Sequence, residues 1–370
     1  MKIINRILVL ISLFLLSSNF MLYSCIEDYP FKGIARILAL AILFITIINN
    51  KEIKIPLKLY FLIVYFAIGL ILGSELHANC LVITLLAYSI ILNFDKKDIL
   101  KCFLIVGFAT IAFYLILLLT HNIENVSRTY LGRTRNFLGF NHPNGPSVIF
   151  LPMLMFIVLK AKKYKKLMSV LSIALVLVLT ILTDSRTLFF TILIFSLLYI
   201  LNNSYFFKTF FRELNNNRLF HLITLTLLFL SPFIIFVSSQ VFPIVNEVLS
   251  KRGEFMTDYI ALQPFYCAIF GFSNINDFVI DNSYLLGFFA FGIIGYIYLF
   301  KVIFKTLVSN SIEANIFMYS LLFYGVVESL LFRPECLATI LFWYFVYNNY
   351  FKSSFCLESE SITNKCFETK

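Results

Sequence analysis

Charged residues are scarce in this chain: they make up 14 % of its 370 residues, against 60 % for hydrophobic residues. A soluble protein of this length would expose far more charge, because its surface has to be covered by polar groups. The apolar residues also come in blocks of roughly 16–21, the length of helix that crosses about 30 Å of hydrocarbon. The composition therefore predicts an all-α, polytopic transmembrane helical bundle, with residues 1–370 forming a single integral membrane domain.

Motifs for metal binding, disulfide formation and nucleic-acid binding are also missing. The seven cysteines are scattered, and neither a C-x-x-C motif nor a Cys/His pair at metal-ligand spacing occurs. The net charge of +10 is spread in short clusters between apolar blocks and forms no basic groove with interleaved aromatic residues. We therefore expect no metal, no cofactor and no nucleic-acid partner; the expected environment is the lipid bilayer.

About twelve apolar segments predict membrane-spanning helices. The first segment has no A-x-A cleavage site and is followed by many others, so we expect it to be retained as a helix and not cleaved as a signal peptide. The longest connector, over 240–282, is rich in aromatic residues and modestly charged, which predicts short helices in place of disorder. In chain order the segments are 4–23, 33–48, 57–73, 79–93, 102–120, 145–159, 167–183, 187–201, 220–239, 283–300, 313–331 and 336–350.

The two sides of this predicted bundle differ in positive charge. The connectors on one side carry 21 of the 30 lysines and arginines, and those on the other side carry nine. The positive-inside rule makes the first side cytoplasmic. Both termini, including a tail over 351–370, are then cytoplasmic, and 240–282 is a long extracytoplasmic loop.

The type of cation differs between the sides as well. On the cytoplasmic side 18 of 21 are lysine, whereas on the outer side seven of nine are arginine. Lysine and arginine serve equally well to set membrane topology, because only positive charge matters there. The planar guanidinium group of arginine can in addition bind phosphate or carboxylate through two parallel hydrogen bonds. We expect a group of outer arginines to bind one shared anionic ligand; the alternative is that they pair with acidic residues or lipid headgroups. The group is Arg133, Arg135, Arg186, Arg252 and Arg333.

Polar motifs are concentrated on the same outer side. The motif "LGFNHPNGP" (138–146) precedes one predicted span, "DSRT" (184–187) opens another, and "KRGEF" (251–255) lies in the long loop. The segment "DNSYLLGFFAFGIIG" (281–295) closes that loop and begins the next span, where Asn282 or Ser283 suits the position of a helix cap. Glu328 and Arg333 in "ESLLFRPE" lie near the outer boundary, where a carboxylate is a functional candidate.

These motifs, in this order, resemble those of bacterial polysaccharide polymerases, the Wzy-type capsule and O-antigen polymerases of the O-antigen ligase superfamily. The resemblance implies a GT-C-like fold and a metal-independent glycosyltransferase. Its substrates would be undecaprenyl diphosphate-linked oligosaccharide repeat units at the outer leaflet of the bacterial cytoplasmic membrane. A chain-length regulator and a flippase are the protein partners that it suggests.

The related ligases carry a His-Asn or similar pair nine residues before a glycine, and here the pair is Asp281-Asn282, followed by Gly292. Because the histidine is replaced, the comparison favours polymerase over ligase. The outer arginines would hold the diphosphate and acidic sugars, Arg186 being assigned to catalysis. Asp281 is the preferred base for the acceptor hydroxyl, His142 a second candidate and Glu328 a third. The residues expected to orient sugar are Asn136, His142, Asn144, Asn282 and Tyr284.

Three other functions remain open at this stage. A flippase or exporter would handle the same lipid, but such transporters place polar residues at the bilayer midplane, often in repeated halves. Here the predicted midplanes are apolar, and no internal repeat is visible. A ligase would transfer finished glycan to a lipid or protein acceptor. A non-catalytic scaffold would leave the segregation of arginine unexplained.

Overall fold

The computed structural model describes residues 2–26, 29, 31–50, 56–123, 127–130, 133–142, 144–161, 163–183, 185–242, 252–274 and 281–350. Within this part the fold is helical, apart from one antiparallel hairpin of strands β1 (Ser127–Tyr130) and β2 (Arg133–Asn136). The helices are α1 (Lys2–Cys25), α2 (Lys32–Ile48), α3 (Leu57–Ile71), α4 (Glu75–Asn93), α5 (Lys96–Leu119), α6 (Gly145–Lys160), α7 (Lys165–Thr183), α8 (Arg186–Asn202), α9 (Tyr205–Asn216), α10 (Arg218–Val241), α11 (Arg252–Leu262), α12 (Phe265–Phe270), α13 (Ser283–Ser309), α14 (Ile312–Val327) and α15 (337–350).

Several helices have the length and hydropathy of membrane spans. Among the described residues six qualify, namely α1, α4, α5, α7, α10 and α13, and the pair α8 and α9, bent by 107°, would make a seventh if it is one span. Helices α2, α3, α6 and α14 are apolar but shorter. Each of the twelve predicted segments overlaps a helix, whereas the count of twelve spans and the GT-C-like fold stay predictions.

Burial separates central from peripheral helices. Helix α4 buries side chains on all its faces, as do α6 and the segment 337–350. A helix that is apolar all round is one that packs in a core. Helices α3, α7 and α10 instead expose large apolar side chains on one side, for example Ile181 and Leu227. These exposed faces are consistent with contact to lipid.

Helix α13 is broken at Gly292. Its φ of +64° is left-handed, and a Cβ built there would lie 2.3 Å from the carbonyl oxygen of Ile269. Backbone N–H groups of the loop replace the lost helical donors: Phe272 donates to Ala290 O (2.7 Å) and Ser273 to Phe289 O (3.3 Å). The loop segment 271–274 is therefore bonded to the outer half of α13.

A short buried connection, 328–336, joins α14 to α15. The predicted span 313–331 ends earlier than expected, because α14 stops at Val327 and Glu328 has an extended conformation. Side chains satisfy the irregular backbone: Ser283 donates to Glu328 O (2.8 Å), and Trp343 donates to Leu331 O (2.7 Å). Buried non-helical backbone needs such partners, because its N–H and C=O groups have no helical partner of their own. The connection thus places Glu328 and Arg333 inside the protein.

Candidate functional site

Four helix ends meet at one end of the bundle. Asn144 is the residue before α6, Ser185 the residue before α8, and Glu328 follows α14. Ser185 Oγ donates to Asn144 Oδ1 (3.1 Å), and Asn144 Nδ2 donates to Glu328 Oε1 (2.6 Å). Asn282, before α13, donates to the carbonyl of Val326 in α14 (2.7 Å). Three of these ends are N-termini, which carry partial positive charge and favour a nearby anion.

Glu328 lies at the centre of this end of the bundle. It is 8 % exposed, and Arg252 Nη2 lies 3.6 Å from its Oε1. Burial raises the pKa of the carboxyl to about 8, and the nearby Asp281 carboxylate adds to the rise. The guanidinium groups of Arg252 and Arg333 and the hydrogen bond from Asn144 act in the opposite direction on this pKa. Glu328 is therefore able to exchange a proton near neutral pH.

Arg252 reaches Glu328 from the long loop. Its helix α11 packs on α13 through Met256 and Tyr259, and Thr257 is bonded to Gln240 of α10 (2.9 Å). The guanidinium Nη2 lies 3.8 Å from Asp281 Oδ2 as well as close to Glu328, so it stands between two carboxylates. Its Nε is buried without a hydrogen-bond partner. The guanidinium group of Arg252 can therefore donate a further hydrogen bond to an oxygen atom of a ligand.

A second set of charges lies beside the first. Arg36 of α2 bonds to Glu75 at the start of α4 (2.9 Å) and to the buried Glu335 (2.6 Å from Nη2). Arg333 bonds to Ser329 Oγ (2.9 Å) and interacts electrostatically with both Glu328 and Glu335. The two sets are therefore connected through Arg333. We call all seven charged residues the outer charge cluster: Arg36, Glu75, Arg252, Asp281, Glu328, Arg333 and Glu335.

The structure brings together only part of the predicted site. Asn144, Arg252, Asp281, Glu328 and Arg333 converge as described. Within the cluster the arginines stand opposite carboxylates, the alternative that the sequence left open. The clamp of five arginines stays a prediction, because the side chains of Arg133 and Arg135 lie outside the described part of the structure.

Asn282 and Tyr284 are expected from the sequence to orient sugar, but they serve packing. Asn282 is fully buried; its Oδ1 accepts from the N–H of Leu285 (2.8 Å) while its amide holds α14. Tyr284 is 3 % exposed and donates to Leu322 O (2.8 Å). These polar groups are already bonded inside the protein, so the geometry gives no support to contact with sugar.

Four of the remaining predicted residues precede α6 in the chain, and the fifth begins α8. Arg186 is exposed at the start of α8, and His142 is exposed with its Nδ1 accepting from the N–H of Asn144 (3.2 Å). Asn136 accepts from the N–H of Leu138 (2.9 Å), which is a local turn contact. Arg133 and Arg135 belong to strand β2, but their side chains, like residues Asp184 and Lys251, lie outside the described part of the structure. Their predicted roles stay predictions.

Sequence reasoning did not select Arg36, Glu75, Glu335 or Ser185 as site residues. Arg36 was counted among the outer cations, and Glu335 follows Arg333 by two positions, so a signal existed. What the sequence did not show is the pairing, because Arg36 and Glu335 are 299 positions apart.

Comparison with known proteins adds no identity to this geometry. No protein-family model, no curated protein and no solved structure matches the chain.

Proposed function

We propose that the chain is a metal-independent glycosyltransferase that polymerises undecaprenyl diphosphate-linked oligosaccharide repeat units at the outer leaflet of the bacterial cytoplasmic membrane. One observation carries this proposal. The buried carboxyl of Glu328 lies 3.6 Å from the guanidinium of Arg252, at an end of the bundle where three helix N-termini also meet, and burial raises its pKa to about 8. This arrangement suits proton removal from a hydroxyl beside an anionic leaving group.

Glu328 is the general base in this proposal. The sequence favoured Asp281, but the Asp281 side chain is 30 % exposed and that of Glu328 only 10 %. A base whose pKa lies near the operating pH combines a sufficient ionised fraction with a good driving force for proton transfer. Asn144, anchored by Ser185, fixes the orientation of the carboxylate.

The reaction moves the growing glycan from its carrier to the next repeat. The acceptor hydroxyl oxygen forms a bond to the anomeric carbon, its proton passes to Glu328, and the bond from that carbon to the diphosphate breaks with its electron pair. Negative charge grows on the phosphate oxygens, so donors fixed at that point lower the barrier. Hydrogen bonds to charged groups contribute about 1.5–3 kcal/mol each. Two that tighten in the transition state would give roughly two to four powers of ten in rate.

Proton transfer and leaving-group departure are coupled through Arg252. While Glu328 is ionised, it and Asp281 compensate the charge of Arg252. Once Glu328 accepts the proton, one of these negative charges disappears and the guanidinium interacts more strongly with the diphosphate. The base therefore strengthens the anion site at the moment when the anion forms.

The test is an assay with purified full-length protein and lipid-linked repeat units, read as a ladder of products on a gel. Wild-type protein should form the ladder, Glu328→Gln should not, and Glu213→Gln, which alters an exposed carboxyl on α9, should match the wild type. Movement of labelled lipid-linked sugar across the bilayer without formation of new glycosidic bonds would contradict the proposal and identify the protein as a flippase. Transfer only to a separate lipid or protein acceptor would replace it with a ligase.

A further inference from the structure

A large apolar cavity lies away from the outer charge cluster, between α3, α4, α12, α13 and α15. Its volume is about 570 Å³, within the range of about 300–1,000 Å³ that ligand pockets occupy. Cys80 and Ile83 of α4 and Trp343 of α15 form its inner wall. Phe61 and Ile294 stand at its rim and are 63 % and 72 % exposed, so the cavity opens sideways to the surroundings of the bundle.

One charged residue, Lys58, occurs among the described residues that line this cavity. Its Nζ lies 5.1 Å from the ring centroid of Tyr350, and the hydroxyl of Tyr350 is bonded to that of Tyr298. No carboxylate of the described chain pairs with Lys58, and the side chain is exposed. An ammonium beside two phenol groups is suited to bind a phosphate.

Lys58 is at the end of the cavity opposite the outer charge cluster. It stands in the first turn of α3, and Tyr350 ends the described part of α15, whereas Glu75 begins α4 and Glu335 precedes α15 at the other end. The positive-inside rule places the Lys58 end on the cytoplasmic side. From Lys58 to Phe66 the lining extends about 12 Å along α3, and from Val302 to Ile294, on one side of the break at Gly292, about 12 Å along α13.

This depth matches one leaflet, since half of a hydrocarbon core of about 30 Å is about 15 Å. We propose that the cavity binds an anionic phospholipid of the cytoplasmic leaflet, with one acyl chain inside the cavity and the phosphate at Lys58. The apolar lining takes the chain, the side opening admits it from the membrane, and Lys58 selects for negative charge. The site does not depend on the proposed enzymatic reaction, whose charged residues lie at the other end.

Trp343 provides a native reporter, because it is the one tryptophan of the chain, it lines the cavity, and it is 6 % exposed. Full-length protein is reconstituted in two bilayers of identical headgroup composition, a mixture of phosphatidylglycerol and phosphatidylcholine. In one, the phosphatidylglycerol chains carry bromine at mid-chain; in the other, the phosphatidylcholine chains carry it. Bromine quenches the fluorescence of Trp343 when a chain enters.

The expected result is stronger quenching with brominated phosphatidylglycerol, with about a fivefold preference in occupancy, which corresponds to about 1 kcal/mol for one lysine near an anionic headgroup. Lys58→Gln should abolish the preference. Val302→Phe, which fills the cavity, should reduce quenching in both bilayers. Ile297→Phe, on an exposed part of the same helix outside the lining, should leave it unchanged.

Three outcomes would overturn the proposal. Absence of quenching in both bilayers would mean that no acyl chain enters. Equal quenching by brominated phosphatidylglycerol and brominated phosphatidylcholine would show that the site does not select the anionic headgroup. Relief of the quenching by undecaprenyl phosphate at an amount equal to the protein, with phospholipid in large excess, would assign the cavity to a polyprenyl carrier.

Discussion

The buried carboxyl of Glu328 predicts a pH dependence of stability with a definite sign. Its pKa is about 8 in the folded chain, against 4.5 for an ordinary glutamate. Between these two values the folded chain holds a proton that the unfolded chain has lost. Folding stability from this group is therefore fully present below about pH 4.5 and is lost as the pH rises to about 8.

The magnitude follows from the size of the shift. Each pH unit in this window changes the free energy of unfolding by about 1.36 kcal/mol for one proton, so about 4 kcal/mol is lost between pH 5 and pH 8. Glu328→Gln keeps the shape of the side chain and its hydrogen bond with Asn144 but cannot ionise. The variant should be close to the wild type in stability at pH 5 and more stable at pH 8.5.

The assay is the thermal unfolding midpoint in detergent at one-unit pH intervals, for the wild type, Glu328→Gln and the exposed control Glu213→Gln. The difference between Glu328→Gln and the wild type should grow steadily with pH, while the control shows no such trend. A difference that is constant across the range, or that shrinks as the pH rises, would refute the burial argument.

The rate of polymer formation should rise with pH, whereas stability falls, because Glu328 has to be ionised to act as the base. With a pKa of about 8, the ionised fraction of Glu328 rises roughly tenfold between pH 7 and pH 9. Polymer formation by the wild type should follow that rise, and Glu328→Gln should stay inactive at every pH. If activity increases and stability decreases over the same pH range, both trends are explained by ionisation of the buried carboxyl of Glu328.

Further changes test the surroundings of this group. Arg252→Gln removes a charge that lowers the pKa of Glu328, so the midpoint of the pH–activity profile should move to higher pH. An unchanged midpoint would show that Arg252 does not act on the pKa of Glu328. Asn282→Ala removes a helix cap and a bond between helices, which should cost about 1–3 kcal/mol, measured as a lower unfolding midpoint at unchanged pH profile. Gly292→Ala forces a Cβ into the backbone of the loop and should expose that loop to limited proteolysis, whereas protection equal to the wild type would contradict the close approach. Arg186→Lys keeps the charge but loses the planar fork, so polymer formation should fall sharply while membrane insertion is retained; wild-type polymer levels would argue against a role of the fork in anion binding.

Much of the helical organisation was predictable from sequence, because an apolar block of about 20 residues has few alternatives to a helix. The loop 240–282 was expected to contain short helices, and α11 and α12 are present there. Helix α9 was missed: the connector 202–219 has aromatic residues such as Phe206 and Phe210 among charged ones, and its apolar face is too narrow to resemble a span. The end of α14 was also placed too late, since apolar residues continue through the irregular connection after Glu328.

The site was predictable in residue type but not in its partners. Glu328 and Arg252 stood out as charges at the outer side of an apolar chain. The bond between Asn144 and Glu328 joins positions 184 apart in the chain, and its existence depends on how four helices pack. Burial raises the pKa of Glu328, and a single sequence carries little information on burial at helix ends. The same limit applies to Tyr284, a polar residue at a helix start that proved to be part of the core.

The interruption of α13 at Gly292 has a consequence for movement of the outer face. Carbonyls of the outer half of α13 are bonded to the loop at Phe272 and Ser273, and the same loop holds α11 and therefore Arg252. Moving segment 271–274 away from α13 would require either rupture of those backbone bonds or a swing of the short helical piece that begins at Ser283. Separation of segment 271–274 from the bundle is thereby linked to a change in α13 at the glycine where that helix is interrupted.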